Sequence, residues 1–150
     1  MHPSPTLHTL FIYGTLMPGL RLAHEMAGAE PLGPAQVGGR LVDVGRYPGF
    51  LHGPGVVHGE LYRVSDAQLA RLDAVEDMVP GQRAASQYWR EPVTVLHGAL
   101  QGQTVWTYVY NRPTEGLVPI AHGDYRRYIR EVGRDSRASP RTRGGSLLRP

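Results

Sequence analysis

Residues 11–19 read FIYGTLMPG, an apolar strand that runs directly into Tyr-Gly-Thr-Leu and breaks at Pro18-Gly19. The β-branched and aromatic content of residues 10–13 is typical of a buried strand. Gly14 allows the backbone to turn, or another group to approach it closely. The end of this strand is therefore consistent with two roles: a set of backbone N–H groups that holds an anion, or an ordinary turn from strand to loop.

The length and composition of the chain indicate one soluble domain. A chain of 150 residues is long enough to bury an ordinary core. No apolar run approaches the length of a membrane span, and residues 1–9, MHPSPTLHT, lack the basic and apolar regions of a secretory signal. We therefore expect a cytoplasmic protein, with a monomer as the default state. The absence of cysteine excludes thiolate nucleophiles and zinc–thiolate sites.

The positive charge of the chain is concentrated at its C-terminus. Residues 1–125 carry eight arginines against eleven acids, whereas residues 126–150 carry eight arginines against two acids. From Arg134 onward the sequence holds too little apolar surface to offset the entropy of ordering it. We predict a domain over residues 1–133 and a disordered, arginine-rich tail over residues 134–150. Such a tail either keeps the chain soluble or neutralises nucleic-acid phosphates; the first is more common, so no nucleic-acid partner is expected.

The pattern of the remaining residues predicts a β-rich α+β domain. Residues 20–28, 66–77 and 125–132 are predicted helices. Ser65 to Gln68 form a capping box at the start of the second helix, and Asp124 and Gly133 bound the third. Strands are predicted over residues 36–50, closed by a Tyr47-Pro48-Gly49 turn, and over residues 55–64. A hairpin is predicted from residues 88–98 and 103–112.

Three carboxylates, Asp73, Glu76 and Asp77, crowd the end of the second predicted helix. At about 100° per residue, Glu76 lies roughly 40° from the centre of the apolar helix face, whereas the other two point away from it. Partial burial and the negative helix end would raise the pKa of Glu76 toward the range of a general acid or base. The alternative is that Glu76 is solvated where the helix frays. Asp73 and Asp77 are predicted to be surface charges.

Other chemistries find little support in the sequence. The seven histidines show no paired helical spacing suited to a metal, so no metal site is expected. No G-x-S-x-G elbow is present, and no glycine-rich stretch satisfies G-x-G-x-x-G. Trp106, Tyr108 and Tyr110 alternate onto one face of a strand, which fits either the core or the wall of an apolar pocket.

A set of short motifs in fixed order resembles the gamma-glutamylcyclotransferase-like family, which includes gamma-glutamylamine cyclotransferases and AIG2-like proteins. The motifs lie between about residues 11 and 125 and read, in order, YGTL, YPGF, VHGELYRV, LDAVED, YWREPVTV, WTYVY and HGDY. Each motif is weak alone, but the ordered set is specific. The resemblance implies an α+β fold with a small, mixed, six-stranded β-barrel-like sheet and flanking helices. It also implies a cavity at the strand end that carries YGTL.

The resemblance further implies a reaction that needs no cofactor, on a small-molecule gamma-glutamyl substrate. The α-amino nitrogen of the substrate attacks its own γ-carbonyl, releases an amine and closes 5-oxoproline. The catalytic glutamate of the family falls on Glu76. The substrate-binding residues of the family correspond to Tyr13, Gly14, Thr15 and Leu16. The rival hypothesis is a non-catalytic module that binds a small ligand in the same pocket, and the identity of the leaving amine stays open in both cases.

Overall fold

The apolar strands of the sequence form one six-stranded mixed sheet in the computed structural model, which describes residues 6–133. Five strands close into a barrel in the order β1, β3, β2, β4, β5, and β6 lies beside β2. Neighbouring strands are antiparallel, except that β5 meets β1 and one position of β3 in parallel. The strands are β1 (Leu7–Ile12), β2 (Glu30–Asp43), β3 (Pro48–Ser65), β4 (Tyr88–Gly98), β5 (Thr104–Tyr110) and β6 (Val118–Ile120). The predicted α+β barrel and the predicted β4–β5 hairpin are confirmed.

Two α-helices flank the barrel, α1 (Asp66–Val75) and α2 (Tyr125–Val132). Both predicted caps are present: Ser65 Oγ accepts the Gln68 N–H at 3.2 Å, and an Asp124 carboxylate oxygen accepts the Arg127 N–H at 3.2 Å. These bonds satisfy N–H groups that the first helical turn leaves without an intrahelical partner. The helix starts could therefore be predicted from local sequence.

The predicted helix over residues 20–28 is wrong in extent, because only a short 3₁₀ helix forms there (Ala23–Met26). Leu20, Leu22 and Met26 are all buried. Residues two apart cannot share one face of an α-helix, so burial of this segment on two sides overrides its helical periodicity.

The predicted turn at Tyr47-Pro48-Gly49 is displaced, because Pro48 and Gly49 are already the first residues of β3. The chain turns earlier, where the Val44 N–H donates to the Tyr47 carbonyl at 3.0 Å. Gly45 has a φ of 124° there, a value that favours glycine. Tyr47-Pro48-Gly49 is thus free to face the interior rather than to reverse the chain.

Helix α1 ends in hydrogen bonds, not in a frayed turn. The Met78 N–H donates to the Asp73 carbonyl at 2.9 Å and the Asp77 N–H to the Ala74 carbonyl at 3.0 Å. Asp77 itself has a φ of 56°. This pattern is the Schellman motif, in which a left-handed residue just beyond the helix satisfies its last carbonyls. Glu76 is the C-cap, and its own N–H still donates to a helix carbonyl at 2.9 Å.

We expect Asp77→Val to lower the free energy of unfolding by about 1–2 kcal/mol, because a β-branched residue is strained in the left-handed region. Asp77→Asn is the matched control and should stay within about 0.5 kcal/mol of the wild type, since asparagine tolerates this region. Urea denaturation of the three proteins measures both values. Equal stabilities of the Val and Asn variants would contradict the assigned role of Asp77.

Two predictions concern parts of the chain that the structure does not describe. The predicted tail over residues 134–150 lies outside the described residues, and so does the start of the predicted domain at residues 1–5. Within residues 6–133, neither helix has the length and apolar character needed to cross a membrane.

Candidate functional site

A cavity opens at the end of β1, where the FIYGTLMPG stretch leaves the barrel. The space between its walls, open solvent at the mouth included, is about 430 Å³. The lining residues are Phe11, Ile12, Tyr13, Gly14, Thr15, Leu16, Leu22, Tyr47, Pro48, Glu76, Tyr88 and Tyr108. All five residues predicted for the site, in the YGTL segment and at the end of α1, are therefore brought together around one cavity.

The Tyr-Gly-Thr-Leu segment is a tight turn. The Met17 N–H donates to the Gly14 carbonyl at 3.0 Å, so Thr15 and Leu16 are the central residues of a β-turn. The bond that closes the turn does not use the N–H groups of these two residues. The Leu22 N–H donates to the Thr15 carbonyl at 2.8 Å and ties the turn to the next segment. The segment is thus an ordinary turn in form, and it lies at the wall of a cavity.

The YGTL and YPGF motifs contact each other at Gly14. A Cβ atom added to Gly14 would lie 2.8 Å from Pro48 Cγ and 2.9 Å from Pro48 Cδ, closer than side chains normally approach. Tyr47 and Pro48 line the cavity themselves. Glycine is therefore required at position 14 for the close approach of a second cavity wall.

Gly14→Ala should lower stability by about 1–3 kcal/mol, the usual range for overpacking a well-packed site. Gly38→Ala is the comparison, because its added Cβ would lie 3.7 Å from the nearest atom, in ordinary contact. The thermal unfolding midpoints of both variants and the wild type provide the measurement. A Gly14→Ala variant as stable as Gly38→Ala would show that the contact with Pro48 is not restrictive.

The phenol groups of Tyr13 and Tyr108 are buried donors in the cavity wall. The Tyr13 hydroxyl donates to the Tyr108 carbonyl at 2.7 Å and accepts the Phe50 N–H at 3.3 Å. The Tyr108 hydroxyl donates to an Asp73 carboxylate oxygen at 2.6 Å. Burial raises the pKa of both phenols well above the ordinary value. The negative charge of Glu76 raises the pKa of Tyr13 further, whereas that of Tyr108 is raised further by the hydrogen bond and charge of Asp73 and then by the charge of Glu76. Both phenols therefore stay protonated at neutral pH and cannot act as bases there.

Glu76 supplies the carboxylate of the cavity. Among the twelve residues that line it, Glu76 alone carries a carboxyl group. The side chain is half-buried at the end of α1, and its charge reaches the phenols of Tyr13 and Tyr108 across the cavity. The prediction that Glu76 faces inward is confirmed. A carboxylate held opposite a turn can move a proton at a nitrogen of a bound molecule.

The prediction that Asp73 is a surface charge is wrong. Asp73 is only 9% exposed, and its carboxylate accepts bonds from Arg90 Nε at 2.9 Å and Arg90 Nη2 at 3.0 Å, besides the Tyr108 bond. A helical-wheel angle considers one packing surface, whereas the Arg90 side chain from β4 and the Tyr108 side chain from β5 reach this side of the helix. Asp77, by contrast, is exposed as predicted. No local sequence signal pairs Asp73 with a residue seventeen positions away.

The three aromatic residues predicted to form either core or pocket wall, Trp106, Tyr108 and Tyr110, do not share one role. Tyr108 lines the cavity and is buried. Trp106 and Tyr110 are partly buried and pack against the core elsewhere. Across residues 6–133, no group of three or more histidine, cysteine, aspartate or glutamate side chains is arranged to hold a metal ion.

The protein is a small α+β barrel with a cavity in which one carboxylate, that of Glu76, lies with the turn after β1. Sequence comparison identifies the family. The family model described as "Gamma-glutamyl cyclotransferase, AIG2-like" matches residues 10–127. The chain therefore belongs to this family. It is 36% identical over 117 residues to the gamma-glutamylcyclotransferase family protein YtfP of Escherichia coli K12, a match that covers 77% of this chain and 94% of the relative.

A second relative carries a more specific name. The chain is 37% identical over 123 residues to the gamma-L-glutamyl-butirosin B gamma-glutamyl cyclotransferase of Niallia circulans. This match covers 79% of the present chain and 76% of the relative.

Solved structures show the same fold. An AIG2-like protein from Mus musculus superposes with a TM-score of 0.69 at 26% identity, covering 91% of this chain and 98% of the other. The solution structure of YtfP from Escherichia coli superposes with a TM-score of 0.59 at 36% identity, covering 78% and 95%. The barrel described above is therefore the fold of this family.

Proposed function

We propose that the protein is a gamma-glutamyl cyclotransferase, which converts a gamma-glutamyl amine or amino acid into 5-oxoproline and the free amine. The observation that carries the proposal is the carboxylate of Glu76 in the same cavity as the Tyr13–Leu16 turn. Family membership and the names of the relatives from Escherichia coli and Niallia circulans support the reaction class.

In the proposed complex, main-chain groups of the turn after β1 hold the substrate. The N–H groups of Thr15 and Leu16 donate to the α-carboxylate, since the bond that closes the turn does not use them. Aromatic side chains, Tyr47 and Tyr88 among them, enclose the methylene groups of the glutamyl moiety. Holding the amine beside the carbonyl supplies the proximity that an intramolecular attack needs.

The proposed chemistry needs one carboxylate. Ionised Glu76 takes a proton from the α-ammonium, and the freed amine attacks the γ-carbonyl carbon. The new C–N bond closes the five-membered ring while the carbonyl oxygen becomes an oxyanion. The bond to the leaving nitrogen then breaks as protonated Glu76 donates to it. Two protons in all pass from the attacking to the leaving nitrogen, so the amine departs as an ammonium and no water is consumed.

The test is the release of 5-oxoproline from a panel of gamma-glutamyl amino acids, ε-linked gamma-glutamyl-lysine, gamma-glutamyl polyamines and gamma-glutamyl aminoglycosides. The α-linked isomers of the same compounds are the controls, because their amine is bonded to the wrong carbonyl carbon. Release of both 5-oxoproline and amine from a γ-linked member alone supports the proposal, and the preferred member names the leaving amine. Binding of 5-oxoproline without turnover of any member would favour the non-catalytic module instead.

A further inference from the structure

A partly buried ion pair, Asp73–Arg90, bonds to a residue of the cavity wall, although the proposed reaction does not use it. The Asp73 and Arg90 side chains are 13% and 19% exposed and meet through two parallel N–H bonds, the geometry that makes an arginine–carboxylate pair directional. The Arg90 guanidinium also lies over the Trp106 ring, 4.6 Å from its centroid. Tyr108, a residue of the cavity wall, donates the third bond to Asp73. The pair and Tyr108 therefore join α1 to β4 and β5, two of the strands that contribute residues to the cavity wall.

Arg90 contacts both ends of the segment that carries Glu76. Its side chain binds Asp73, three residues before Glu76, and its main-chain N–H lies 3.4 Å from Met78 Sδ, two residues after it. The Met78 N–H closes the segment on the Asp73 carbonyl at 2.9 Å. The end of α1 is thus attached to β4 on both sides of Glu76.

We propose that Asp73 and Arg90 are positioning residues for Glu76: together with Tyr108 they hold the end of α1 so that the Glu76 carboxylate faces the cavity, and Arg90 neutralises the second carboxylate beside it. The kinetic part of this inference rests on the proposed function, whereas the electrostatic part does not. Neither residue lines the cavity, so both act through Glu76 and Tyr108.

Packing energetics favour a positioning role over a purely stabilising one. A partly buried ion pair seldom stabilises a protein more than apolar side chains of the same volume, because both charges lose solvent. Its two directional bonds do, however, fix one arrangement of the helix against the strand. A carboxylate that must meet a substrate nitrogen depends on such support, because a displacement of about 1 Å can cost about 100-fold in rate.

The charges near Glu76 make this role measurable. Side chains three residues apart on a helix have Cβ atoms about 5–6 Å apart, well within the Debye length of about 8 Å at physiological salt. The titratable groups that line the cavity with Glu76 are the phenols of Tyr13, Tyr47, Tyr88 and Tyr108. Asp77 follows Glu76 in the chain, and the Asp73–Arg90 pair begins three residues before it. Removing Asp73 leaves the positive charge of Arg90 near Glu76, whereas removing Arg90 leaves a negative charge there. The two removals must move the titration of Glu76 in opposite directions.

The deciding experiment is an NMR pH titration of the Glu76 side-chain carboxyl carbon in the wild type, Asp73→Asn and Arg90→Gln. We expect the midpoint to move to lower pH in Asp73→Asn and to higher pH in Arg90→Gln, by about half a pH unit or more in each case. Arg127→Gln is the matched control: it removes an arginine from an exposed ion pair on α2 with Glu131 and should leave the midpoint unchanged. Shifts in the same direction, or none, would overturn the inference.

Kinetics complete the test. Asp73→Asn and Arg90→Lys should lower kcat about 10- to 100-fold with KM changed less than about threefold, because the substrate still binds while Glu76 is misplaced. Arg90→Lys keeps the charge but not the two parallel bonds. If Arg90→Gln does not fold, Arg90→Lys takes its place in the titration series. The Glu76 midpoint should then stay near the wild-type value in Arg90→Lys and move to lower pH in Asp73→Asn. Unchanged kcat in an active, folded variant would overturn the positioning role and leave the proposed function intact. An inactive wild type would instead defeat the proposed function, and the NMR titration would still decide the electrostatic part.

Discussion

Glu76→Gln is expected to lower the rate of 5-oxoproline release by about 10²- to 10⁴-fold, the usual contribution of a general acid or base. Glutamine has nearly the same shape, so the cavity and the bonded end of α1 should be retained. Its amide cannot take a proton from an ammonium, so the attacking nitrogen would stay protonated and non-nucleophilic. The measurement is kcat for the preferred panel substrate, with the thermal unfolding midpoint showing that the variant is folded.

Asp77→Asn provides the matched comparison for Glu76→Gln. It removes the neighbouring carboxylate, which is exposed and lies outside the cavity, and asparagine tolerates the left-handed backbone at that position. We expect its kcat to stay within about twofold of the wild type, since a solvated charge is screened. Equal release by wild type and Glu76→Gln would eliminate Glu76 as the base, whatever Asp77→Asn does.

Gly123→Ala is expected to lower the free energy of unfolding by more than about 3 kcal/mol, one of the largest effects of a single substitution in this chain. Gly123 belongs to the HGDY motif, has a φ of 70°, and lies so close to β3 that an added Cβ would be 1.9 Å from the Val56 carbonyl oxygen. The His58 N–H also donates to the Gly123 carbonyl at 2.8 Å. An alanine there must push this segment off the strand and break that bond.

Gly116→Ala separates the two causes of the Gly123 effect. Gly116 has a similar φ of 79°, but nothing lies within 4 Å of an added Cβ. Its substitution should therefore cost only the backbone strain, about 1–2 kcal/mol. Urea denaturation measures the loss in free energy of unfolding for each variant. The difference between the two losses is the cost of the close contact with β3. Equal losses in the two variants would mean that strain, and not contact with β3, explains the requirement for glycine.

Features that depend on residues close together in the chain could be predicted from the local sequence. The caps at Ser65 and Asp124 were predictable because a side-chain oxygen three residues before a free N–H is a sequence pattern. The hairpin of β4 and β5 followed from two alternating segments around a short turn. Helix geometry placed Glu76 nearest the apolar face but left a frayed helix end as the alternative. The structure decides between the two, because the end of α1 keeps its backbone bonds up to that residue.

The same reasoning failed where partners are distant along the chain. Leu20 and Leu22 are buried on two sides of one segment, so helical periodicity misjudged residues 20–28. Asp73 is held by Arg90 and Tyr108 from two different strands, and no pattern around position 73 announces either partner. The angular position of a residue on a helical wheel gives only the direction of its side chain around the helix axis. Its burial depends on every element that packs against that side chain.

Short-range geometry and an ordered set of motifs were enough to predict β1, the β4–β5 hairpin, the helix caps, the family resemblance and the place of Glu76 near the apolar face of its helix. They did not predict β6 or the continuous strand β3 (Pro48–Ser65). Tertiary structure alone decided three things: the contact of Gly14 with Pro48, the closure of Gly123 on β3, and the pairing of Asp73 with Arg90. These contacts join residues between 17 and 67 positions apart in the chain. Their existence follows from the closure of the barrel, which brings separate strand ends to one place, and such proximity is a property of the packed fold rather than of any stretch of sequence.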